Sequence, residues 1–577
     1  MPVSYRAPGV YVQELASGVH PIVGVSTATA AFVDLFQKGT VGKPVKIFGL
    51  GDFQREFGGV SADSEASYAI SQFFNNGGSQ AWVVRVAGTN APAAASAKQE
   101  ASGWKVTTNG TPPASEDFAV SSSGSGSWGD ALCFGIQDGT AAGTFDLVVG
   151  EVSPAGAIAN VKVAVREIFR GLSVTAADPR YCVTIVNNSS QLIRLKLGPG
   201  VVTVPGPTWN RNAPLGIGLP DGAALTTTTD TSGAGLGDIA GQTNIAHFHR
   251  LAGGNDGSAT DVKAALADML IGDPAAATGI YALDTIAPDV FNILCIPAMA
   301  NIDQADPVGQ AAYAKLLTVA GQFCRDHRAM LIVDPPAAWD DDTTASPLVT
   351  KMLAFAPALR SNVNTNAAVY FPRLVMSDPI SGGTKNVGPS GTLAGIWARI
   401  DASRGVWKAP AGTEATIGGA RPVVTMNDAA SDTLNPAGVN VLRTLPVFNN
   451  VTWGARTLDG ADQIASQWKY IPVRRTALYI EESLRQGLQW VVFEPNDEAL
   501  WAQLRLNVGS FMQNLFRLGA FAGVTPNEAF LVKCDSDTTT AYDISTGVVN
   551  ILVGFQPVLP CEFVVIQIEQ LTQPTAA

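Results

Sequence analysis

Charge is scarce in this sequence of 577 residues. Only 15% of them are Asp, Glu, Lys or Arg, and 37 basic residues stand against 49 acidic ones. The net charge of −12 excludes nucleic acid as the main partner, because phosphate contacts need a basic footprint and no basic stripe occurs. Isolated soluble monomers usually carry more charge, so other copies of the chain are expected to cover much of the surface, although abundant Gly, Ala, Ser and Thr also dilute charge. No apolar run approaches the ~20 residues of a membrane span. The opening Met1-Pro-Val-Ser-Tyr-Arg6 lacks the positive start and apolar centre of a signal peptide. Synthesis in the cytoplasm and no direct membrane insertion are the expectations. Six cysteines, from Cys133 to Cys561, form no CxxC pair and no close-spaced framework, and read as buried free thiols.

Signatures of catalysis are equally sparse. No P-loop, G-x-S-x-G, H-E-x-x-H or EF-hand loop occurs. His247 and His249 would share one face of a strand but have no third ligand nearby. Asp340, Asp341 and Asp342 beside Trp339 read as a solvated loop. Asp535 and Asp537 begin like a calcium loop, which Thr539 and a missing Gly break. Gly388-Pro-Ser-Gly391 could hold a phosphate at a helix start, but fits better as a tight turn entering a buried helix. Arg404, Arg474 and Arg475 are expected in ion pairs with acids such as Glu481 or Glu482, or with a partner's carboxylates. No catalytic residue, cofactor or metal ligand is expected, and the chain does not read as an enzyme. Two rival readings are an α/β enzyme of unknown reaction and a surface-binding module that uses the β insertion.

The length implies roughly two to four domains, and the pattern along the chain predicts a mixed α/β multidomain protein. Residues 1–22 hold Pro2, Pro8, Gly9 and Pro21 around the short extended piece Val10-Tyr-Val-Gln-Glu14, which suits an edge strand or an arm added to a neighbour's sheet. Residues 23–86 and 250–380 alternate strands (30–34, 45–48, 81–86, 291–296, 329–334, 367–376) with helical stripes such as Ala66, Ala69, Ile70, Phe73 and Phe74. Such alternation implies a largely parallel sheet under helices. Between them, residues 87–249 read as an all-β insertion, with strands at 145–151, 161–169, 181–186 and 192–197. Residues 381–545 form a C-terminal α/β domain, and 546–577 its last strands and arm. In that arm Val564, Ile566 and Ile568 share one face and Phe563, Val565, Gln567 and Glu569 the other, so a strand there is expected to be buried on both sides.

The longest helix is expected over 496–518. Leu500, Trp501, Leu504, Val508, Phe511, Met512 and Leu515 recur at three- and four-residue steps along one face. Asn496 is the expected cap, Asp497 and Glu498 occupy the first turn, and Gly519 is the stop. About 23 residues at ~1.5 Å make a rod of roughly 34 Å.

Three phrases here, Val473-Arg-Arg475, Trp490-Val-Val-Phe-Glu-Pro-Asn-Asp497 and Ala529-Phe-Leu-Val-Lys-Cys-Asp535, resemble in order and spacing the C-terminal domain of contractile tail sheath proteins of phages, R-type tailocins and related injection systems. Arg404-Gly-Val-Trp-Lys-Ala-Pro-Ala411, Leu434-Asn-Pro-Ala-Gly-Val-Asn-Val-Leu-Arg443 and Trp453-Gly-Ala-Arg-Thr457 are similar to the same domain. Ala7-Pro-Gly-Val-Tyr-Val-Gln-Glu14, Asn76-Gly-Gly-Ser-Gln-Ala-Trp82 and Gly253-Gly-Asn-Asp-Gly257 resemble the family's N-terminal arm and α/β region. The insertion matches only loosely, at Ser127-Trp-Gly-Asp130 and Glu167-Ile-Phe-Arg-Gly-Leu-Ser173. The resemblance implies a structural subunit, not an enzyme, that polymerises helically around an inner tube in a phage tail or contractile injection particle and contracts. Its partners would be other copies, the tube protein, and baseplate and terminator proteins. The implied subunit-interface strands hold Pro8, Gly9, Val10, Tyr11, Val12 and Glu14 at one end. Phe563, Val564, Val565, Ile566, Gln567 and Ile568 stand at the other. Arg505 and Arg517 are the implied tube contacts.

Overall fold

The computed structural model describes residues 20–88, 96–100, 103–107, 118–122, 127–153, 162–197, 249–251, 259–304, 307–340, 344–362 and 365–563. These fall into two compact units, one of residues 28–403 with 410–469, the other of 20–27 with 404–409 and 470–563.

The first unit opens with β1 (Ala30–Leu35), an apolar run buried from Ala30 to Asp34, as in sheets covered on both faces. β2 (Val45–Ile47), α1 (Leu50–Phe57), α2 (Glu65–Asn75) and β3 (Ala81–Val86) follow. Ser64 caps α2 by accepting from the Ser67 N–H, and Ala66, Ala69, Ile70 and Phe73 are buried as their spacing predicts. The chain then turns through Gly77 at φ +110°, a left-handed value that favours glycine.

The insertion contributes β4 (Ser96–Glu100), β5 (Gly103–Thr107), β6 (Phe118–Ser122), β7 (Leu132–Asp138), β8 (Phe145–Ser153), β9 (Lys162–Leu172), α3 (Cys182–Ser189), β10 (Ile193–Leu197) and β11 (His249–Arg250). They make two four-stranded antiparallel sheets, β10-β6-β4-β5 and β11-β7-β8-β9. One apolar core joins residues of both. The insertion is therefore β-rich but not all-β: residues 181–186, whose Val, Thr and Ile predict a strand, enter α3. Cys182 and Val186, four apart and both fully buried, meet that core on one helical face, and this packing overrides strand propensity.

The α/β pattern resumes with α4 (Ala259–Ile271), β12 (Ile293–Cys295), α5 (Pro307–Asp326), β13 (Met330–Val333), α6 (Ala345–Asn362) and β14 (Ala367–Phe371). The single strand expected over 367–376 is two. Pro372, which has no N–H for a ladder, separates β14 from β15 (Leu374–Ser377), and β15 joins β16 (Thr384–Val387) and β17 (Ala420–Pro422) in a separate three-stranded sheet. Between these last two lies α7 (Ser390–Arg404), and after them come α8 (Asp428–Leu434), β18 (Asn440–Leu445) and β19 (Asn449–Thr452).

The main sheet has the order β19-β18-β14-β13-β12-β1-β3-β2. It is parallel from β18 to β3 and antiparallel only at its two edges. Residues 440–452, expected within the segment 381–545, thus complete the sheet begun at residue 30. Ala31 and Val33 face a core formed with α4, α5, α6 and α8. Phe32 faces the opposite layer, where its ring meets Phe73 of α2 at 5.7 Å. There α7 is buried almost all round. A Cβ on its Gly391 would lie 2.2 Å from the Ala69 carbonyl oxygen, so only glycine permits this approach of α7 to α2.

Candidate functional site

The second, C-terminal unit consists chiefly of α9 (Ile471–Gly487), α10 (Glu498–Arg517), α11 (Pro526–Ala529), β20 (Phe530–Lys533), α12 (Ala541–Ser545) and β21 (Leu552–Phe555). The predicted stripe Leu500, Trp501, Leu504, Val508, Phe511, Met512 and Leu515 is buried along α10. At roughly 1.5–3 kcal/mol for each large side chain fully buried, this face is a main source of the unit's stability. The cap differs from the expected Asn496. Asp497 accepts from the Leu500 N–H, so the helix is 20 residues long. Asn496 instead accepts from Trp501 Nε1 at 2.9 Å and donates to the Val548 carbonyl at 3.0 Å.

Residues 20–27 run antiparallel to α9. Arg475 donates to the Thr27 carbonyl at 2.9 Å, the Val25 N–H to Ser483 Oγ at 3.2 Å, and His20 stacks on Trp490 at 4.2 Å. A Cβ on Gly487 would lie 2.8 Å from Ile22, which fixes how closely this segment lies on the helix. Arg474 meets Glu481, one of the acids expected to pair with it, at 3.6 Å.

β20 and β21 pair with each other as a two-stranded sheet, in register from Phe530 opposite Phe555 to Lys533 opposite Leu552. Phe530, Val532, Val553 and Phe555 pack on the α10 core, while Leu531 and Leu552 are exposed. Two strands alone are marginal in water, and each here has an outer edge without a strand partner among the described residues. Most of the exposed large apolar side chains of the described residues also lie in this smaller unit, among them Val492, Phe493, Val524, Tyr542, Leu559 and Phe563. Phe493 combines 102% relative exposure with φ +75°, a backbone region that bulky residues avoid. Trp490 and Val491 pack inward against Leu500 and Trp501, which leaves Val492 and Phe493 outside.

Of the sequence-predicted interface residues, Phe563 is 74% exposed at the end of the described chain. Pro8, Gly9, Val10, Tyr11, Val12, Glu14, Val564, Val565, Ile566, Gln567 and Ile568 lie outside the described residues. Arg505 donates to Glu498 at 2.6 Å and to the Cys534 carbonyl, so its guanidinium is already engaged. Arg517 is exposed in the last turn of α10. Twelve residues separate the two arginines, about 18 Å of rise and roughly 120° of rotation, so they share no face.

His247, Asp341 and Asp342 lie outside the described residues, and the candidates at 388–391 and 535–537 are internally satisfied. Asp535 accepts from the Asp537 and Thr538 N–H groups, and Lys533 pairs with Asp537 at 2.8 Å. At Gly388-Pro-Ser-Gly391 the place of an anion is taken by the protein's own carboxyl: Asp334 accepts from Ser390 N at 2.8 Å and Ser390 Oγ at 2.5 Å. A phosphate has no room there, since even a Cβ on Gly388 would lie 2.4 Å from the Asp334 carboxyl. Glu65 accepts from Gly388 N at 2.7 Å and from Arg373 Nη2 at 2.6 Å, and Arg373 Nε reaches Asp340 at 2.9 Å. Asp34 accepts from the Ala66 and Leu35 N–H groups at 2.7 and 2.6 Å. Burial, with a smaller contribution from Glu65, pushes the Asp34 and Asp334 carboxyls up to about 7. These groups fasten α2 and α7 to the ends of β1, β13 and β14.

A multidomain α/β framework, carrying a smaller unit with open strand edges and exposed apolar surface, defines a protein with the features of an assembly subunit. Residues 464–570 match the family described as phage tail sheath C-terminal domain. That match spans residues 470–563 of the C-terminal unit, whose wording resembles the same domain. Over 225 residues the chain is 26% identical to the tail sheath protein of Burkholderia phage BcepMu, a match covering 37% of this chain and 47% of that one. The match therefore spans about half of that relative's length. In fold, the chain is similar to the contracted-state sheath complex of the extracellular contractile injection system PVC, with a TM-score of 0.52, 16% identity and 99% of each chain covered. It is also similar to a sheath tail protein of Listeria innocua, with a TM-score of 0.50, 11% identity and coverage of 93% and 96%.

Proposed function

We propose that this chain is the repeating subunit of a contractile sheath, which polymerises helically around an inner tube and, by contracting, drives the tube through a target envelope. The observation that carries the reading is the tail sheath domain at 464–570, whose two-stranded sheet has outer edges without a strand partner among the described residues. A helical polymer needs heterologous contacts that propagate without closing. Strand addition to β20 and β21 supplies them, because main-chain hydrogen bonds hold neighbours together while the subunit bodies rotate. In this reading residues 8–14 and 562–569 are the added strands. Contraction is the relaxation of a kinetically trapped lattice, which needs no nucleotide. The tube protein, baseplate and terminator are the further partners, within a phage tail or injection particle. Arg517 fits a tube carboxylate better than Arg505, whose charge Glu498 already offsets. Deleting residues 1–19 and 564–577 together tests the strand reading. A folded chain by circular dichroism that forms no polymer is expected, and intact polymer or unfolded aggregate would refute it.

A further inference from the structure

Within the first unit, a cleft of about 1150 Å³ opens between the sheet edge and the insertion. One wall comes from residues 37–46 and α1, the other from β8, β9 and the turn from α3 into β10. Its lining holds six basic side chains, Lys38, Lys43, Lys46, Arg55, Arg166 and Arg194, against Glu56, Glu151 and Glu167. Three of the cations are matched: Arg55 by Asp52 and Glu56, Arg166 by Glu151 at 3.0 Å, and Lys46 by Asp289 at 3.0 Å. Glu167 is occupied by Ser190 Oγ and the Gln191 N–H, and Arg194 donates to the Ser190 and Ile193 carbonyls. Lys38 and Lys43 have no ion pair among the described residues, and Lys43 is exposed.

With the paired Asp52 and Asp289 counted, six positive and five negative groups leave the cleft +1, in a chain of −12, so the rest carries −13. An acidic surface of another copy would meet Lys38 and Lys43 with a charge that attracts it. The volume exceeds the roughly 300–1,000 Å³ of small-ligand pockets, and suits a protruding protein segment better than a single anion. We infer that the cleft is a docking groove for an acidic surface of a second copy of this chain, a lateral contact separate from strand addition. This rests on the sheath reading. Charge matching at such a contact fixes register and speeds encounter.

The experiment compares wild type, Lys38→Glu/Lys43→Glu, and Lys315→Glu/Lys351→Glu, which changes the net charge equally on exposed helix positions. Each protein is checked for folding by circular dichroism, then pelleted and imaged by negative stain across a concentration series. The cleft variant is expected to fold and to need about tenfold more protein to polymerise, the effect of ~1.4 kcal/mol, while the helix variant matches wild type. Equal polymerisation by the cleft variant, or equal loss in both variants, overturns the proposal but leaves the sheath reading standing. Failure of wild type to polymerise both alone and with its tube protein removes both. A photoreactive residue at position 43 is expected to capture a second copy in assembled wild-type polymer, and capture confined to its own chain also overturns the groove.

Discussion

Asp334 offers the sharpest test of the buried carboxyl cluster. It has no solvent exposure, and burial pushes its carboxyl from 3.8 up to about 7, helped by Glu65 and opposed by the Ser390 hydrogen bonds and Arg373. The folded protein therefore holds a proton that the unfolded chain releases. Stability from this group is fully present below the unfolded value of 3.8 and is lost as pH rises through about 7. Between about pH 5.5 and 7.5, one such group changes stability by roughly 2 kcal/mol. Asp334→Asn keeps an acceptor for the Ser390 N–H but cannot titrate. Urea unfolding of both proteins, followed by near-ultraviolet circular dichroism over that range, isolates the effect. Wild type should gain roughly 1–2 kcal/mol on the variant as pH falls from about 7.5 to 5.5. A flat difference, or a gain as pH rises, would refute the argument, because the carboxyl would then be ionised throughout.

Three further outcomes follow from the geometry. Gly391→Ala places a Cβ 2.2 Å from the Ala69 carbonyl oxygen and should cost roughly 1–3 kcal/mol by overpacking, visible as a lower urea midpoint with an unchanged slope. Asp497→Ala removes the α10 cap and should cost about 1 kcal/mol, whereas Asp497→Asn, which keeps a capping oxygen, should retain most of the wild-type stability. Phe493→Gly relieves the strain at φ +75° without losing burial, and should stabilise the isolated subunit by about 1 kcal/mol while weakening assembly if the ring contacts a partner. Unfolding midpoints and pelleting assays read the two effects separately.

Legibility in the sequence followed the range of the interactions. α2 and α10 were readable because a single buried face imprints a 3.6-residue period, and β1 and β3 because burial on both faces leaves an unbroken apolar run. Residues 181–186 misled because the same Val, Ile and Thr serve a strand or a one-sided helix, and only the insertion core decides between them. The turn at 388–391 is recognisable as a helix entry, yet its carboxyl partner stands 56 residues earlier, at Asp334, beyond the reach of any local pattern. Placing β18 beside β14 is likewise a long-range fact. Arg505 is different: Glu498 lies seven residues before it on the same face of α10, and the two long side chains meet. The exposed Val492-Phe493 step was also open to reading, as apolar residues immediately before Glu494-Pro495 in a loop.

The most direct measurement of the central claim is negative-stain electron microscopy of the full chain, expressed alone and then together with its tube protein. The account predicts hollow, striated tubes of this chain, with a lumen wide enough for the tube when the two are made together. Discrete particles under both conditions would contradict it.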